Sequence, residues 1–277
     1  MKISVIVPTY KDVVALRIIL DALNRQSYDS FDIVVAEDNN SKEVKEFLNS
    51  YNSKHKIYHI YHKDFKNRKA TILNKALSII KSDYLIFIDG DCIPFVDFVS
   101  NHIYLSRKTS VLCGRRVNLS KDISNDIRDD ILNPYELEKR YFKNILFMKN
   151  RGTRHIEQGI VINPKSIFYR LIQKLNRNIH IVGSNFSCFK SDIDYINGFD
   201  EDIVGGMKDD VDLEWRFVMS GCKLEICKYS ANLFHLYHTR EDRTSDEDIS
   251  REQMKINQEN NRFICTNGIV KKENNVS

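Results

Sequence analysis

No stretch of the 277 residues stays apolar long enough to cross a bilayer, which takes about 20 consecutive apolar residues in a helix. The first residues read as a strand and lack the charged-then-apolar order of a secretory leader, so a cytoplasmic chain is expected. No Cys-x-x-Cys pair occurs: Cys92, Cys113, Cys188, Cys222, Cys227 and Cys265 are scattered, as expected of reduced thiols. The net charge is only +4. Nucleic acid would call for a clustered basic face, whereas this balance permits peripheral association with the anionic inner face of a membrane. A Gly-rich phosphate loop is missing near the N-terminus, where Val7-Pro8-Thr9-Tyr10-Lys11 stands instead. What is present is 42% hydrophobic content, enough to bury a full core as one large or two small domains.

Strand and helix patterns alternate through the first half. Residues 3–7 read as a strand stopped by Pro8, 13–23 carry apolar residues at helical spacing, and 31–35 form a second strand. Glu37-Asp38-Asn39-Asn40-Ser41 reads as a turn and cap before a helix over 42–50. A strand over 57–61, a helix over 70–80 and a strand over 84–88 follow. This order predicts an α/β fold: a single Rossmann-like, mostly parallel sheet with flanking helices. Pro8-Thr9-Tyr10, Glu37-Asp38 and Asp89-Gly90-Asp91 then share one C-terminal sheet edge, where open α/β sheets bind ligands.

Five apolar residues run straight into Asp89-Gly90-Asp91. Gly90 permits a sharp turn that lets both carboxylates converge. Paired hard oxygens suit Mg²⁺ or Mn²⁺ shared with substrate phosphates, although a plain turn with two aspartates has the same pattern. Thr9 and Tyr10 offer backbone groups and a ring to a base. Glu37 or Asp38 can accept from a base N–H or a ribose hydroxyl, or cap the next helix. Of the cationic run 63–69, Arg68 and Lys63 are the candidates to meet phosphate; the others read as a solvated loop. Farther on, Gly205-Gly206 reads as a flexible approach to a helix that opens with Asp209, Asp210 and Asp212. Three aspartates in four residues exceed what one cap needs, and crowded like charges raise a carboxyl pKa, as a general base requires. His235 and His238, three apart after a strand, suit Mn²⁺ better than Mg²⁺ if they join Asp91.

Together, Val5-Ile6-Val7-Pro8-Thr9-Tyr10, Val34-Val35-Ala36-Glu37-Asp38, Arg68-Lys69-Ala70 with Asn74-Lys75-Ala76, and Asp89-Gly90-Asp91 resemble glycosyltransferase family 2. The resemblance covers residues 1 to about 117 and implies the GT-A fold and inverting transfer from a nucleotide sugar. It assigns Glu37 and Asp38 to the nucleoside, Asp89 to ribose or metal, and Asp91 to a divalent cation on the diphosphate. One departure is that the common Asp-Asp-Gly-Ser is here Glu37-Asp38-Asn39-Asn40, with a longer first side chain. Gly198-Phe199-Asp200-Glu201 with Asp209-Asp210-Val211-Asp212-Leu213-Glu214-Trp215-Arg216 resembles the C-terminal motif of galactosyltransferase-like members. There the resemblance implies Asp210 as the base, Asp209 beside the donor, Asp212 supporting acceptor or loop geometry, and Arg216 anchoring the helix by a salt bridge. Val182-Gly183-Ser184-Asn185-Phe186-Ser187 is similar to the strand lining the donor sugar, which nominates Asn185. His238 matches the histidine that completes the metal site, and His235 a second, softer ligand.

The implied whole is a metal-dependent transferase of a hexose or N-acetylhexosamine from a UDP-sugar, with Mn²⁺ or Mg²⁺. Its acceptor would be a saccharide or lipid-linked saccharide hydroxyl in cell-surface polysaccharide synthesis. Residues 1–117 would form the nucleotide-sugar-binding half, 118–268 the acceptor-binding and catalytic-base half of the same domain, with a smaller C-terminal acceptor-side region, and 269–277 a disordered tail. Within the second half, 134–148 reads as helical, 150–155 as mobile, and 239–248 as a possible lid. A glycoside hydrolase has no use for a nucleotide-type edge, and a sugar nucleotidyltransferase would want the missing Gly-rich loop. A non-catalytic sugar- or nucleotide-binding module is the alternative that an assay must separate.

Overall fold

Residues 1–63, 68–176, 179–203, 208–239 and 244–271 are described by the computed structural model. The strands are β1 (Ile3–Thr9), β2 (Asp32–Glu37), β3 (Ile57–Tyr61), β4 (Tyr84–Ile88), β5 (Cys92–Pro94), β6 (Ser110–Cys113), β7 (Val117–Asn118), β8 (Asn185–Phe189), β9 (Lys223–Ile226) and β10 (Leu233–His235). The helices are α1 (Val13–Asn24), α2 (Lys42–Ser50), α3 (Lys69–Ile79), α4 (Phe98–Leu105), α5 (Lys121–Arg128), α6 (Pro134–Lys139), α7 (Tyr141–Asn150), α8 (Ile167–Leu175), α9 (Lys190–Tyr195), α10 (Lys208–Met219) and α11 (Thr244–Glu259).

Seven strands form the main sheet in the order β3-β2-β1-β4-β8-β6-β9. Neighbours are parallel except where β8 runs against both β4 and β6. The apolar runs of β1, β2 and β4 are buried on both faces because side chains alternate across a strand. Val5, Val7, Ile33, Val35, Ile86 and Ile88 face one core, packed with Leu16, Ile19 and Leu23 of α1 and Val99 of α4. Ile6, Val34, Leu85 and Phe87 face the other, packed with Ile72 and Leu77 of α3 and Phe217 of α10. Strands of this one sheet come from both sides of residue 117. Helices cover both faces, as the α/β pattern leads one to expect.

Of a second sheet, β5-β10-β7, only β10 was legible, as the strand that leads to His235 and His238. β5 and β7 hold two or three residues, too few to show periodicity, and the sheet is buried beneath α5, α6 and α7 through Ile123, Leu137, Tyr141 and Met148.

Local differences have simple causes. β1 passes through Pro8 instead of stopping there, and Pro8 pairs with Ala36. The ladder to β4 has already ended at Ile6–Phe87, so the missing N–H interrupts no bond. The helical pattern over 134–148 splits into α6 and α7 at Arg140. Residues 150–155 are tied down: Arg154 and Asn118 exchange backbone hydrogen bonds at 2.9 and 3.0 Å. The expected disordered tail stays packed at its start, with the Ile269 N–H donating to Asn197 O at 2.9 Å and Lys271 ion-paired to Glu201. Residues 272–277, Gly205-Gly206, Asp64 to Asn67 and residues 240–243 of the expected lid lie outside the described residues. Among the described residues, no helix is long and apolar enough to cross a membrane.

Candidate functional site

Parallel β1, β2 and β4 end together, which gathers the three polar clusters at one edge as their order in the sequence requires. Thr9 is buried, and among the described residues its hydroxyl has no hydrogen-bond partner, an uncommon state for a buried polar group. Tyr10 is exposed beside it, with the Lys11 ammonium donating to its hydroxyl at 2.8 Å. At the end of β4, Gly90 passes so close to β1 that a Cβ would lie 2.2 Å from Pro8 O. Glycine is required there by proximity.

The two acids after β2 have different fates. Glu37 is fully buried, accepting from the Ser41 N–H at 2.7 Å and meeting His59 Nε2 at 2.7 Å. Burial raises its carboxyl, but His59 and Ser41 outweigh this and lower it. Through these contacts Glu37 braces the turn into α2. Asp38 lies at the edge, where its carboxylate meets His62 Nε2 at 2.6 Å and accepts the Arg68 N–H at 2.8 Å. Arg68 and Lys63 both keep exposed side chains, and Arg68 enters the network through its backbone.

Asp89 and Asp91 part ways. Asp89 Oδ1 pairs with Lys69 Nζ at 2.5 Å. Partial burial opposes the charge on Lys69, yet Asp89, Asp209 and Asp210 raise its pKa above the ordinary lysine value. Asp91 Oδ2 instead lies 3.3 Å from His235 Nε2 and 3.4 Å from His238 Nε2. The antiparallel register of β10 on β5 sets His235 opposite Cys92, next to Asp91, and Leu236 N–H donates to Asp91 O. Burial favours a neutral Asp91 carboxyl, but the hydrogen bond from His235 and the two imidazoles prevail and lower it to about 2.

One ligand atom from each of Asp91, His235 and His238 lies within 4.8 Å of the others. Two imidazole nitrogens and one carboxylate oxygen are a donor set for a borderline divalent ion such as Mn²⁺. His238 is half exposed and His235 mostly covered, so the cluster is open on one side. The ring Nδ1 of His238 meets Thr239 O at 3.1 Å, an orienting contact of the kind metal-ligating histidines make. These residues fit a divalent cation.

Asp210 opens α10 and faces the same edge: Pro8, Lys69, Gly183, Phe186, Asp209 and Asp210 line one small cleft. Its Oδ2 accepts the Gly183 N–H at 2.9 Å. Burial and then the charge of Asp209 push its carboxyl up to about 7, against the opposing pull of Lys69 and the Gly183 amide. A carboxyl so placed can take a proton near neutral pH.

Asn185, expected to line the donor sugar, makes hydrogen bonds within the protein. It is fully buried, donates to Arg115 O and Ala231 O at 2.9 Å each, and meets His102 Nε2 at 3.1 Å. Asp212 likewise does not face the cleft. It is the buried partner of Arg216, Nε to Oδ2 at 2.7 Å, and the guanidinium also donates to Ile196 O and Gly198 O. That anchoring role of Arg216 was legible. Lys69, His59 and His62 were missed as members of the network. Lys69 stands inside the quoted Arg68-Lys69-Ala70, and the two histidines read only as parts of a strand and its end.

Comparison with known proteins places this geometry in a family. Residues 4–192 match the family described as Glycosyl transferase family 2. Chondroitin synthase of Pasteurella multocida (strain Pm70) is 25% identical over 227 residues, which is 79% of this chain and 23% of that protein. The uncharacterized glycosyltransferase YfnE of Bacillus subtilis (strain 168) is 31% identical over 118 residues, 41% of this chain and 30% of that protein. The chain thus spans less than a third of the length of either relative. In fold it is similar to S. aureus TarS 1-349 in complex with UDP-GlcNAc (TM-score 0.58, 15% identity, 92% of this chain and 66% of that one). It is also similar to the mannosyltransferase PcManGT of Pyrobaculum calidifontis in complex with GDP-Man and Mn²⁺ (TM-score 0.56, 14% identity, 95% and 71%). The match over most of its length, on a GT-A fold, means that the chain belongs to glycosyl transferase family 2.

Proposed function

We propose that this chain is an inverting, metal-dependent glycosyltransferase that moves a hexose or N-acetylhexosamine from a UDP-sugar to an acceptor hydroxyl. The observation that carries the proposal is Asp210: a carboxyl raised to about 7, held by the Gly183 amide in the cleft shared with Lys69. Asp210 accepts the proton of the acceptor hydroxyl as its oxygen forms a bond to the anomeric carbon and the bond to the UDP oxygen breaks. Attack opposite the leaving group inverts that carbon. Asp38, the Thr9 hydroxyl and the Tyr10 ring receive the nucleoside, with Gly90 allowing close backbone approach. Asp89 holds Lys69 near the diphosphate, where Arg68 and Lys63 add positive charge. Asp209 raises Asp210 from alongside. Mn²⁺ or Mg²⁺, held by Asp91, His235 and His238, supplies positive charge to offset that of the diphosphate.

The UDP-sugar is supported by the neighbour solved with UDP-GlcNAc, and Mn²⁺ by the neighbour solved with it. Relatives named chondroitin synthase support a saccharide acceptor in polysaccharide synthesis. The test is transfer by Asp210→Asn against a panel of UDP-sugars with Mn²⁺. Loss of turnover with donor binding retained supports the base. Unchanged turnover overturns it.

A further inference from the structure

Residues 139–176 hold nine Lys and Arg against a single acid, Glu157, in a chain whose net charge is only +4. Within this stretch, one face of α8 is fastened to the protein. Tyr169 is fully buried and its hydroxyl donates to Ile226 O at 3.1 Å, joined there by Gln173 Nε2 at 3.3 Å. The opposite face is apolar and uncovered: Ile167, Phe168, Leu171 and Leu175 are 66%, 69%, 50% and 79% exposed. At 3.6 residues per turn these four fall in one stripe about 100° wide. Arg170 and Lys174, both exposed, border it, and Lys165 stands just before the helix with its ammonium over the Tyr104 ring. α7 repeats the combination, with Phe142 and Leu146 exposed one turn apart beside exposed Lys143 and Lys149.

Single exposed apolar side chains are ordinary, but a continuous stripe marks a binding surface. Its cover must be apolar in the middle and anionic at the rim. The geometry points to α8 as a docking helix for an anionic lipid surface, its stripe entering the boundary between headgroups and acyl chains while Lys165, Arg170 and Lys174 meet lipid phosphates. Charge complementarity decides the occupant. A second copy meeting this face across a two-fold axis would bring the same cations together, whereas anionic headgroups neutralise them. Tyr169 already holds the helix folded, so docking carries no nucleation cost. The inference concerns where the protein sits and does not depend on the transfer chemistry.

The test is co-sedimentation of the full chain with phosphatidylcholine vesicles, with and without phosphatidylglycerol. Binding to the anionic vesicles is expected to be about tenfold tighter than to neutral ones at about 0.1 M salt and to weaken as salt rises. Phe168→Glu with Leu171→Glu is expected to lower it about tenfold further, at unchanged circular dichroism and melting temperature because both side chains point to solvent. Absence of binding to anionic vesicles, equal binding to neutral ones, or undiminished binding by the folded double variant overturns the proposal. So does a wild-type dimer, seen by light scattering, that the double variant converts to monomer.

Discussion

The Asp210 carboxylate and the Gly183 backbone are in direct contact: Oδ2 accepts the amide at 2.9 Å, and a Cβ on Gly183 would come within 2.4 Å of Oδ1. Gly183→Ala must therefore push the carboxylate off this amide. Because catalytic geometry tolerates little displacement, turnover is expected to fall by about 10²-fold. Donor affinity, measured by calorimetry, should change little, since Asp38 and the metal cluster are untouched. Turnover at the wild-type level would show that the Gly183 contact does not position the base.

The raised carboxyl of Asp210 fixes the sign of two pH effects. In the proposed mechanism its charged form acts as the base, so turnover should rise through a midpoint near 7 and fall below it. Stability moves oppositely. A carboxyl whose folded pKa exceeds its unfolded value favours folding below the unfolded pKa of about 4, and that contribution is lost as pH rises through 7. Asp210→Asn should therefore raise the melting temperature more at pH 8 than at pH 4.5. Melting curves of both proteins at the two pH values check this, and equal shifts would refute it.

How far the sequence reaches is visible in particular residues. Buried strands with long apolar runs announced β1, β2 and β4, and their order alone brought Thr9, Asp38 and Asp89-Gly90-Asp91 to one edge. The strand ahead of His238 was read and is β10, but β5 and β7 are too short to show a period, so the pairing that sets His235 beside Asp91 appeared only in the structure. Motif position also says nothing about burial. Glu37 and Asn185 occupy places where a ligand contact was expected, yet their polar atoms are engaged by His59 and Ser41, and by His102, Arg115 and Ala231. Lys69 escaped because a lysine among cations reads as solvated until Asp89 is seen beside it.

The metal cluster makes a prediction that needs no turnover. Mn²⁺ should raise the melting temperature of the wild type, and Asp91→Asn or His235→Ala should abolish the rise. His238→Ala should weaken it by a smaller factor, because that ring is half exposed. A thermal-shift titration with Mn²⁺ alone reads all three effects. A rise that persists in Asp91→Asn would place the metal elsewhere.

The Arg216–Asp212 pair stabilises the half of the protein that carries Asp210. Both side chains are at most 2% exposed, and the guanidinium also satisfies the carbonyls of Ile196 and Gly198. Removing one partner of such a pair leaves an uncompensated buried charge. Arg216→Ala should therefore cost about 3–5 kcal/mol, read as a lower urea midpoint at an unchanged slope. Asp212→Asn should cost less, because Arg216 keeps its two carbonyl acceptors. If α10 is held in place mainly by Leu213 and Phe217 in the core, Arg216→Ala would lose under about 1 kcal/mol, in the range of a surface pair, and the anchoring role would fall.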